Sequence, residues 1–240
     1  DANGDWIVRD DVFVRYQTKE ELKTGGLSIG FTGYGGKHHI GPEFQLGHLV
    51  GDAYDEPVLL IKTAWGGKSI HKDFRPPSAG GTTGEFYTKM LTEYREALAK
   101  LGDEFPHLAK RKPVLGGFVW FQGWNDMFNN DARNNYQTNL EHLINDIRKE
   151  VGQPELPVVI GELGNEGPKA GKSMLAIRAA QKAAAEALGP NTAFVPTTQF
   201  ARPAKKSPNV THGHHWYGNA ESYFLIGDAL GQALIKLKNK

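Results

Sequence analysis

Three segments of this 240-residue chain combine residue types that can do electrostatic or acid–base chemistry. The first, at 60–69, leaves an apolar run and enters a turn that contains Gly66 and Gly67. Backbone N–H groups in such a turn can face an anionic intermediate, although a plain tight turn is an equal alternative. The segment also ends like a phosphate-binding loop. That motif needs a glycine where Lys62 stands, so we reject a phosphate site.

The second segment, at 119–126, places polar side chains directly after an apolar run. Gln122, Asn125 and Asp126 follow a stretch that reads as a buried strand. Side-chain amides in this position can donate to a developing oxyanion, an effect of roughly 3 kcal/mol per donor. The alternative is an Asn-Asp turn that only closes the strand.

The third segment contains His212, His214 and His215, just before an apolar, helix-like stretch at the end of the chain. A loop histidine can act as a general base. The cluster could also bind a metal, with His38 and His39 as further ligands, or it could be solvent-exposed or structural. We favour the general base over the metal, because adjacent side chains diverge and no carboxylate stands at ligand spacing.

The elements that must position these segments alternate along the chain. Apolar runs predict strands at 12–14, 57–61, 114–121, 157–160 and 193–195. Apolar residues at helical spacing, or alanine-rich sequence, predict helices at 86–101, 140–151, 173–188 and 223–237. Such alternation predicts one domain over residues 1–240, a three-layer α/β/α sandwich with a mainly parallel sheet. Active sites in these folds lie beyond the carboxyl ends of the strands, where the candidate segments follow their predicted strands.

Composition excludes several classes of function. Lys+Arg 28 against Asp+Glu 27 leaves no field to attract nucleic acid or an anionic membrane. The absence of cysteine excludes disulfides and thiolate chemistry, and no stretch approaches the roughly 18 apolar residues of a membrane span.

Because the chain starts at Asp1 and not at Met, we expect an upstream segment to have been removed. We expect an exported protein, periplasmic or extracellular, although no targeting signal in the chain decides this.

The three segments, in this order, resemble the sequence blocks of SGNH hydrolases, a flavodoxin-like fold family. The run Gly123-Trp124-Asn125-Asp126 matches one block literally. Trp120 and Gln122 before it match the Trp-x-Gln-Gly form of the sialate O-acetylesterase-like carbohydrate esterases. The Gly66-Gly67 turn, the stretch at 41–43 and the stretch at 218–223 also resemble that branch. The resemblance covers nearly the whole chain.

The resemblance implies an ester hydrolase that removes O-acetyl groups from sugars by a serine/histidine mechanism, without cofactor or metal. It implies that His215 is the base, with His214 as the neighbouring alternative. The Gly67 N–H and the Asn125 amide would hold the oxyanion, with Gln122 as an alternative donor. Acetylated carbohydrate would be the partner. The aromatic residues expected to stack on sugar faces, if they are not core or lid residues, are Trp65, Trp124, Trp216 and Tyr217.

The chain departs from the family pattern in two places. The block with the serine nucleophile is missing, and its place would be upstream of Asp1. Ser28, Ser69 and Ser222 are not in the sharp strand-to-helix turn that exposes such a hydroxyl. The usual Asp three residues before the histidine is also missing. The histidine would therefore act in a dyad, or be oriented by a backbone carbonyl or a remote carboxylate. A non-catalytic carbohydrate-binding protein or pseudoenzyme is the alternative function.

A missing first strand also affects folding, because the family places that strand centrally. Leu60 and Val119 would lose a neighbour, and each buried backbone group left unpaired costs roughly 1–3 kcal/mol. We therefore expect the gap to be filled by an N-terminal fragment of the same precursor or by a segment within residues 1–31. We favour the fragment, because residues 1–5 resemble an exposed loop where a precursor could be cut.

Overall fold

The structure is a computed structural model that describes residues 2–34 and 38–239, so part of the Gly-rich loop at 33–41 and both terminal residues lie outside it. The strands are β1 (Val12–Gln17), β2 (Leu22–Gly26), β3 (Val58–Lys62), β4 (Phe118–Trp120), β5 (Val158–Gly161) and β6 (Thr192–Val195). The helices are α1 (Glu43–Ala53), α2 (Glu85–Ala99), α3 (Leu101–Glu104), α4 (Asn130–Asn134), α5 (Tyr136–Glu150), α6 (Lys172–Ala187) and α7 (Ala220–Lys238), with short 3-10 helices in the loops.

The strands form two three-stranded sheets, in the orders β2-β1-β3 and β4-β5-β6. β1 and β3 are parallel, and so are β4, β5 and β6. β2 pairs antiparallel with β1, and the sequence pattern did not reveal it because Leu22–Gly26 is short, partly polar and largely unburied. The mainly parallel strands and the alternating helices confirm the predicted α/β sandwich.

Helices cover both faces of the parallel strands. Val158 and Ile160 of β5 pack in a core with residues of α2, α5 and α6. Val159, between them, packs in a second core with residues of α1 and α7. A strand covered on both faces needs a continuous apolar run, which is what β5 has. Within the described residues, no helix is both long and apolar enough to span a lipid bilayer.

The facing edges of the two sheets are not paired with each other. β3 has β1 as its one strand neighbour, and β4 has β5 as its one neighbour, among the residues described. Every residue of β3 is half-buried, as are Phe118 and Val119 of β4, whereas β5 is buried throughout. The sheet therefore has a gap between β3 and β4.

Two expectations need correction. Residues 12–26 pair on the far edge of β3, so the expectation that a segment within residues 1–31 fills the gap is wrong for the part that is described. The strand predicted at 114–121 is shorter, since only Phe118–Trp120 pairs with β5. Val114 is 80% exposed. Gly117 passes so close to Leu234 that a Cβ there would lie 2.5 Å from it.

Candidate active site

A buried carboxylate joins the loops that follow β3 and β4. Asp126 is fully buried and accepts hydrogen bonds from the backbone N–H groups of Ile70 (3.0 Å) and His71 (3.0 Å), and from Nε2 of Gln122 (2.7 Å). Burial raises the pKa of the Asp126 carboxyl, and these three donors oppose that effect by stabilising the ionised form. The two loops are thus held in one arrangement beyond the carboxyl ends of their strands.

Gln122 strengthens the same junction. Its Nε2 also donates to the carbonyl of Lys68 (2.9 Å), so both amide hydrogens have acceptors. The hydroxyl of the buried Tyr136 lies 3.2 Å from Gln122 Oε1 and 2.7 Å from the Gln122 carbonyl. These bonds leave the Gln122 amide no free hydrogen for an oxyanion, so in this arrangement Gln122 positions the loops.

Gly67 and Asn125 lie side by side across this junction. A Cβ built on Gly67 would lie 3.7 Å from Nδ2 of Asn125. Gly67 has a φ of +72°, a conformation that glycine adopts without strain. Within the described part of the chain, neither the Gly67 N–H nor the Asn125 amide has a hydrogen-bond acceptor. Both predicted oxyanion donors are therefore available in one place.

The histidine loop is a 3-10 turn, Gly213–Gly218, with unusual backbone geometry. Trp216 and Tyr217 have φ values of 52° and 55°, in the left-handed region that non-glycine residues seldom occupy. Each such residue costs on the order of 1 kcal/mol, so its surroundings must hold it in place. The buried Asn165, in the loop after β5, donates from Nδ2 to the carbonyl of Gly213 (3.0 Å).

His215 is half-buried, and its Nε2 contacts the hydroxyl of Tyr34. The two rings meet edge to face, with centroids 5.0 Å apart. Burial, and then the neighbouring His214 and His212, lowers the pKa of His215 to about 4. His215 is therefore neutral at pH 7, which is the form that can accept a proton.

His214 is exposed and links the histidine loop to the loop after β4. Its ring centroid lies 4.4 Å from that of His215 and 5.8 Å from that of Trp124. Partial desolvation of its ring lowers the pKa of His214 as well, with His212 as a further cause. Because Trp124 precedes Asn125, this contact brings the histidines to the same side of the molecule as the oxyanion donors.

No carboxylate forms a hydrogen bond with His214 or His215 among the residues described. The same residues contain no group of three or more His, Cys, Asp or Glu side chains placed to hold a metal ion. Ser69 donates to Asp73 (3.0 Å), and the buried Ser222 donates to the carbonyl of Phe200 (2.7 Å), so neither hydroxyl is directed to the histidines.

The tryptophans expected to stack on sugars are in different environments. Trp124 is half-buried beside His214 and remains a candidate. Trp216 is only 4% exposed and packs in the core under α7, so its ring is not available to a sugar. Trp65 packs against Phe74 and Phe86, with ring centroids 5.9 Å and 5.1 Å away, which makes it part of the core boundary.

Two supporting residues were not predicted. Tyr34 precedes α1, and nothing in its sequence context connects it with a histidine 181 positions later. Gln181, fully buried on α6, donates to the Gln122 carbonyl (2.9 Å) and accepts from the Leu163 N–H (2.8 Å). A glutamine on the buried face of an alanine-rich helix was the signal that could have revealed it.

Comparison with known proteins finds one matching family and two proteins with a similar fold. A family model described as "Carbohydrate esterase, sialic acid-specific acetylesterase" matches residues 15–236. No match was found among curated proteins. A protein from Arabidopsis thaliana of known structure is 17% identical with a TM-score of 0.65, over 96% of this chain and 82% of that protein. A carbohydrate acetylesterase from Xanthomonas citri is 17% identical with a TM-score of 0.62, over 94% of this chain and 48% of its own length. At this identity, the two structures show a shared fold.

Proposed function

The chain belongs to the carbohydrate esterase family of sialic acid-specific acetylesterases, and on that premise we propose that it removes O-acetyl groups from sugars by a serine/histidine mechanism. One observation carries the proposal. Gly67 and Asn125 lie side by side on the loops after β3 and β4, and the ring of His214 contacts both His215 and Trp124, the residue before Asn125. In the proposed mechanism Gly67 and Asn125 act as the oxyanion donors and His215 acts as the base, the two functions that ester hydrolysis requires.

In the first half of the reaction, a serine hydroxyl from outside the described residues attacks the acetyl carbonyl carbon. Neutral His215 takes the hydroxyl proton on Nε2. The carbonyl oxygen becomes an oxyanion, which accepts hydrogen bonds from the Gly67 N–H and the Asn125 amide. When the tetrahedral intermediate collapses, the bond to the sugar oxygen breaks, and His215 passes the proton to that oxygen.

In the second half, water hydrolyses the acetyl ester of the serine. His215 takes a proton from the water, and the same two donors hold the second oxyanion. Acetate leaves, and the proton returns to the serine oxygen. The Tyr34 hydroxyl now lies against His215 Nε2, so it marks where the serine hydroxyl would be.

The sugar would lie against Trp124, which is beside His214 at the surface. An indole face can pack on the apolar face of a sugar ring without contributing to the chemistry. A sugar bound in this position would have its acetyl group near Asn125.

The test compares acetate release from an acetylated sugar by the complete gene product and by its His215→Ala and Asn125→Ala variants. We expect His215→Ala to lower kcat by about 10²–10⁴ and Asn125→Ala to lower it by about 10²–10³. The control is Asn134→Ala, an exposed residue at the end of α4. Wild-type rates for His215→Ala would refute the assignment.

A second candidate is a carbohydrate-binding protein without catalysis. It is favoured by the environment of Ser69 and Ser222, whose hydroxyls are held away from the histidines. Calorimetry with acetylated and deacetylated glycans separates the two. Binding of an acetylated glycan that the complete gene product does not hydrolyse would establish the second candidate.

A further inference from the structure

The loop after β4 exposes an aromatic ring beside the candidate active site. Phe128, the last residue of the 3-10 helix Asn125–Phe128, is 70% exposed. Its ring meets that of Trp124 edge to face, with centroids 6.0 Å apart. A single exposed apolar side chain is common on protein surfaces and needs no explanation. Two aromatic side chains in contact, one of them next to the candidate oxyanion donor Asn125, indicate a binding surface.

The same two rings continue a row that reaches the candidate base. The centroid of Trp124 lies 5.8 Å from that of His214, which in turn lies 4.4 Å from that of His215. His215 is half-buried and Phe128 is largely exposed, so the row leads outward from the base to the surface. A glycan with its acetylated sugar at Trp124 would therefore have a neighbouring sugar within reach of Phe128.

Two side-chain amides follow Phe128 directly, and hydrogen bonds within the protein orient both of them. Asn129 Oδ1 accepts from the Ala132 N–H (2.9 Å), and Asn130 Oδ1 accepts from the Arg133 guanidinium. Both asparagines are exposed, and neither Nδ2 group has a hydrogen-bond acceptor in the described chain. Free amide donors beside a flat apolar ring are complementary to a sugar, which has C–H groups on its faces and oxygens around its edge.

The backbone that carries Phe128 is fixed from the interior of the protein. Met127, the preceding residue, is only 8% exposed, and Arg133 donates to its carbonyl (2.8 Å). The buried Asp126 holds the same turn by accepting a hydrogen bond from the Ile70 N–H (3.0 Å). Because the turn is already ordered, a ligand that packs on the Phe128 ring would lose little affinity to the ordering of this loop.

We propose that Phe128, with the amides of Asn129 and Asn130, forms a second sugar subsite that binds the residue next to the acetylated sugar in a glycan chain. The Phe128 ring packs on one face of this neighbouring sugar, and the two amides donate to its oxygens. The proposal rests on the proposed function, which places the acetylated sugar at Trp124.

A second subsite defines the substrate class more closely. The substrate is an acetylated oligosaccharide or polysaccharide, and an acetylated monosaccharide fills only the part of the site at Trp124. Binding energy from a sugar that does not react can hold the reacting sugar in position, so glycan chains are the better substrates.

NMR titration of the purified chain tests the proposal, with the Trp124 indole signal as the readout. The probes are O-acetylated xylose and O-acetylated glucose, and the O-acetylated tetrasaccharides of xylan and of cellulose. In at least one of the two series, we expect the tetrasaccharide to bind about tenfold tighter than the monosaccharide, or more. Phe128→Ala should remove this difference and leave the affinity for the monosaccharide unchanged.

Three further variants show what the Phe128 side chain contributes. Phe128→Tyr keeps the ring and should keep the tighter binding of the tetrasaccharide. Phe128→Leu keeps an apolar side chain without a flat ring and should lose most of it. Val114→Ala is the control, because Val114 is 80% exposed and lies before β4, at the opposite end of that strand from the site. It should bind every probe as the wild type does.

Three results would overturn the second subsite. The first is equal affinity, or no binding, for monosaccharide and tetrasaccharide in both series. The second is tighter tetrasaccharide binding that persists in Phe128→Ala. The third is a wild-type chain that sediments as a dimer while Phe128→Ala sediments as a monomer, because the ring would then pack against a second copy.

Acetate release by the complete gene product separates this proposal from the proposed function. Tighter binding of the tetrasaccharide that depends on Phe128, without acetate release, would support the subsite and contradict the esterase. Acetate release at equal kcat/KM from monosaccharide and tetrasaccharide would support the esterase and contradict the subsite.

Discussion

The hydroxyl of Tyr34 contacts Nε2 of His215, and the packing of two helices explains how these distant residues meet. Tyr34 lies in the loop before α1, and His215 lies in the loop before α7. α1 and α7 pack against each other on one face of the sheet, so the loops that lead into them converge. The candidate base is thus held by a contact that depends on the tertiary fold.

Removal of the Tyr34 hydroxyl should raise the pKa of His215. In Tyr34→Phe the ring contact stays, but the neutral imidazole loses a hydrogen-bond donor, so its protonated form becomes relatively more favourable. NMR titration should show the pKa of His215 rising above about 4, while burial and the neighbouring histidines still hold it below its ordinary value. Tyr94→Phe, a half-buried tyrosine on α2, is the control. An unchanged titration in Tyr34→Phe would mean that the hydroxyl does not interact with the imidazole in solution.

Glu93 should make the chain less stable as the pH rises from about 5 to 8. Burial raises its pKa to about 7, so the folded chain holds a proton that the unfolded chain releases from about pH 4.5 upward. The stabilisation that comes from this bound proton is complete below the pKa of Glu93 in the unfolded chain. It is lost as the pH rises through about 7, the pKa of Glu93 in the folded chain. We expect Glu93→Gln to be more stable than the wild type at pH 8, by on the order of 2 kcal/mol, and similar at pH 4.5.

Urea unfolding at both pH values measures the effect of Glu93→Gln. Glu186→Gln, which removes an exposed carboxylate paired with Lys182, is the matched control and should change neither value. Equal pH dependence in Glu93→Gln and the wild type would show that folding does not raise the pKa of Glu93.

The sequence predicted the parts of the fold that depend on local pattern. β5 was predicted from a continuous apolar run, the helix at 136–150 from apolar residues at helical spacing, and the helix at 172–187 from alanine-rich sequence. Placement of chemistry after β3 and β4 followed from the geometry of parallel sheets, which brings carboxyl ends together. The contact between the Gly67 and Asn125 loops could therefore be anticipated.

Other features depend on long-range packing that a linear pattern does not contain. Trp216 is in a loop rich in polar residues, yet its left-handed backbone turns the indole into the core. β2 pairs with β1 through backbone hydrogen bonds, and this pairing does not require alternating apolar residues in the sequence of β2. The Gln122 amide donates a hydrogen bond to the carbonyl of Lys68, which lies more than fifty residues earlier in the chain.

Asp126 should be required for the arrangement of the two loops. In Asp126→Asn, one oxygen is replaced by an NH₂ group that cannot accept the hydrogen bonds of a carboxylate, so a buried donor loses its partner. We expect a loss of about 2–4 kcal/mol in the free energy of unfolding, measured by urea denaturation. Asp131→Asn, an exposed carboxylate in the first turn of α4, should lose less than about 1 kcal/mol. A stability equal to that of the wild type would show that the loops do not depend on this carboxylate.

Trp124 and Trp216 provide a matched pair of substitutions with opposite expected effects. Trp216 is 4% exposed and packs with Phe121 in the core, so Trp216→Ala should cost about 3–5 kcal/mol in the free energy of unfolding. Trp124 is half-buried at the edge of the site, where its side chain contacts His214 and the exposed Phe128. Trp124→Ala should therefore cost less stability and should weaken binding of an acetylated glycan at least tenfold, as measured by calorimetry. Since both variants remove the same indole, a similar loss of stability in both, with unchanged glycan binding in Trp124→Ala, would show that Trp124 is a core residue and not a sugar platform.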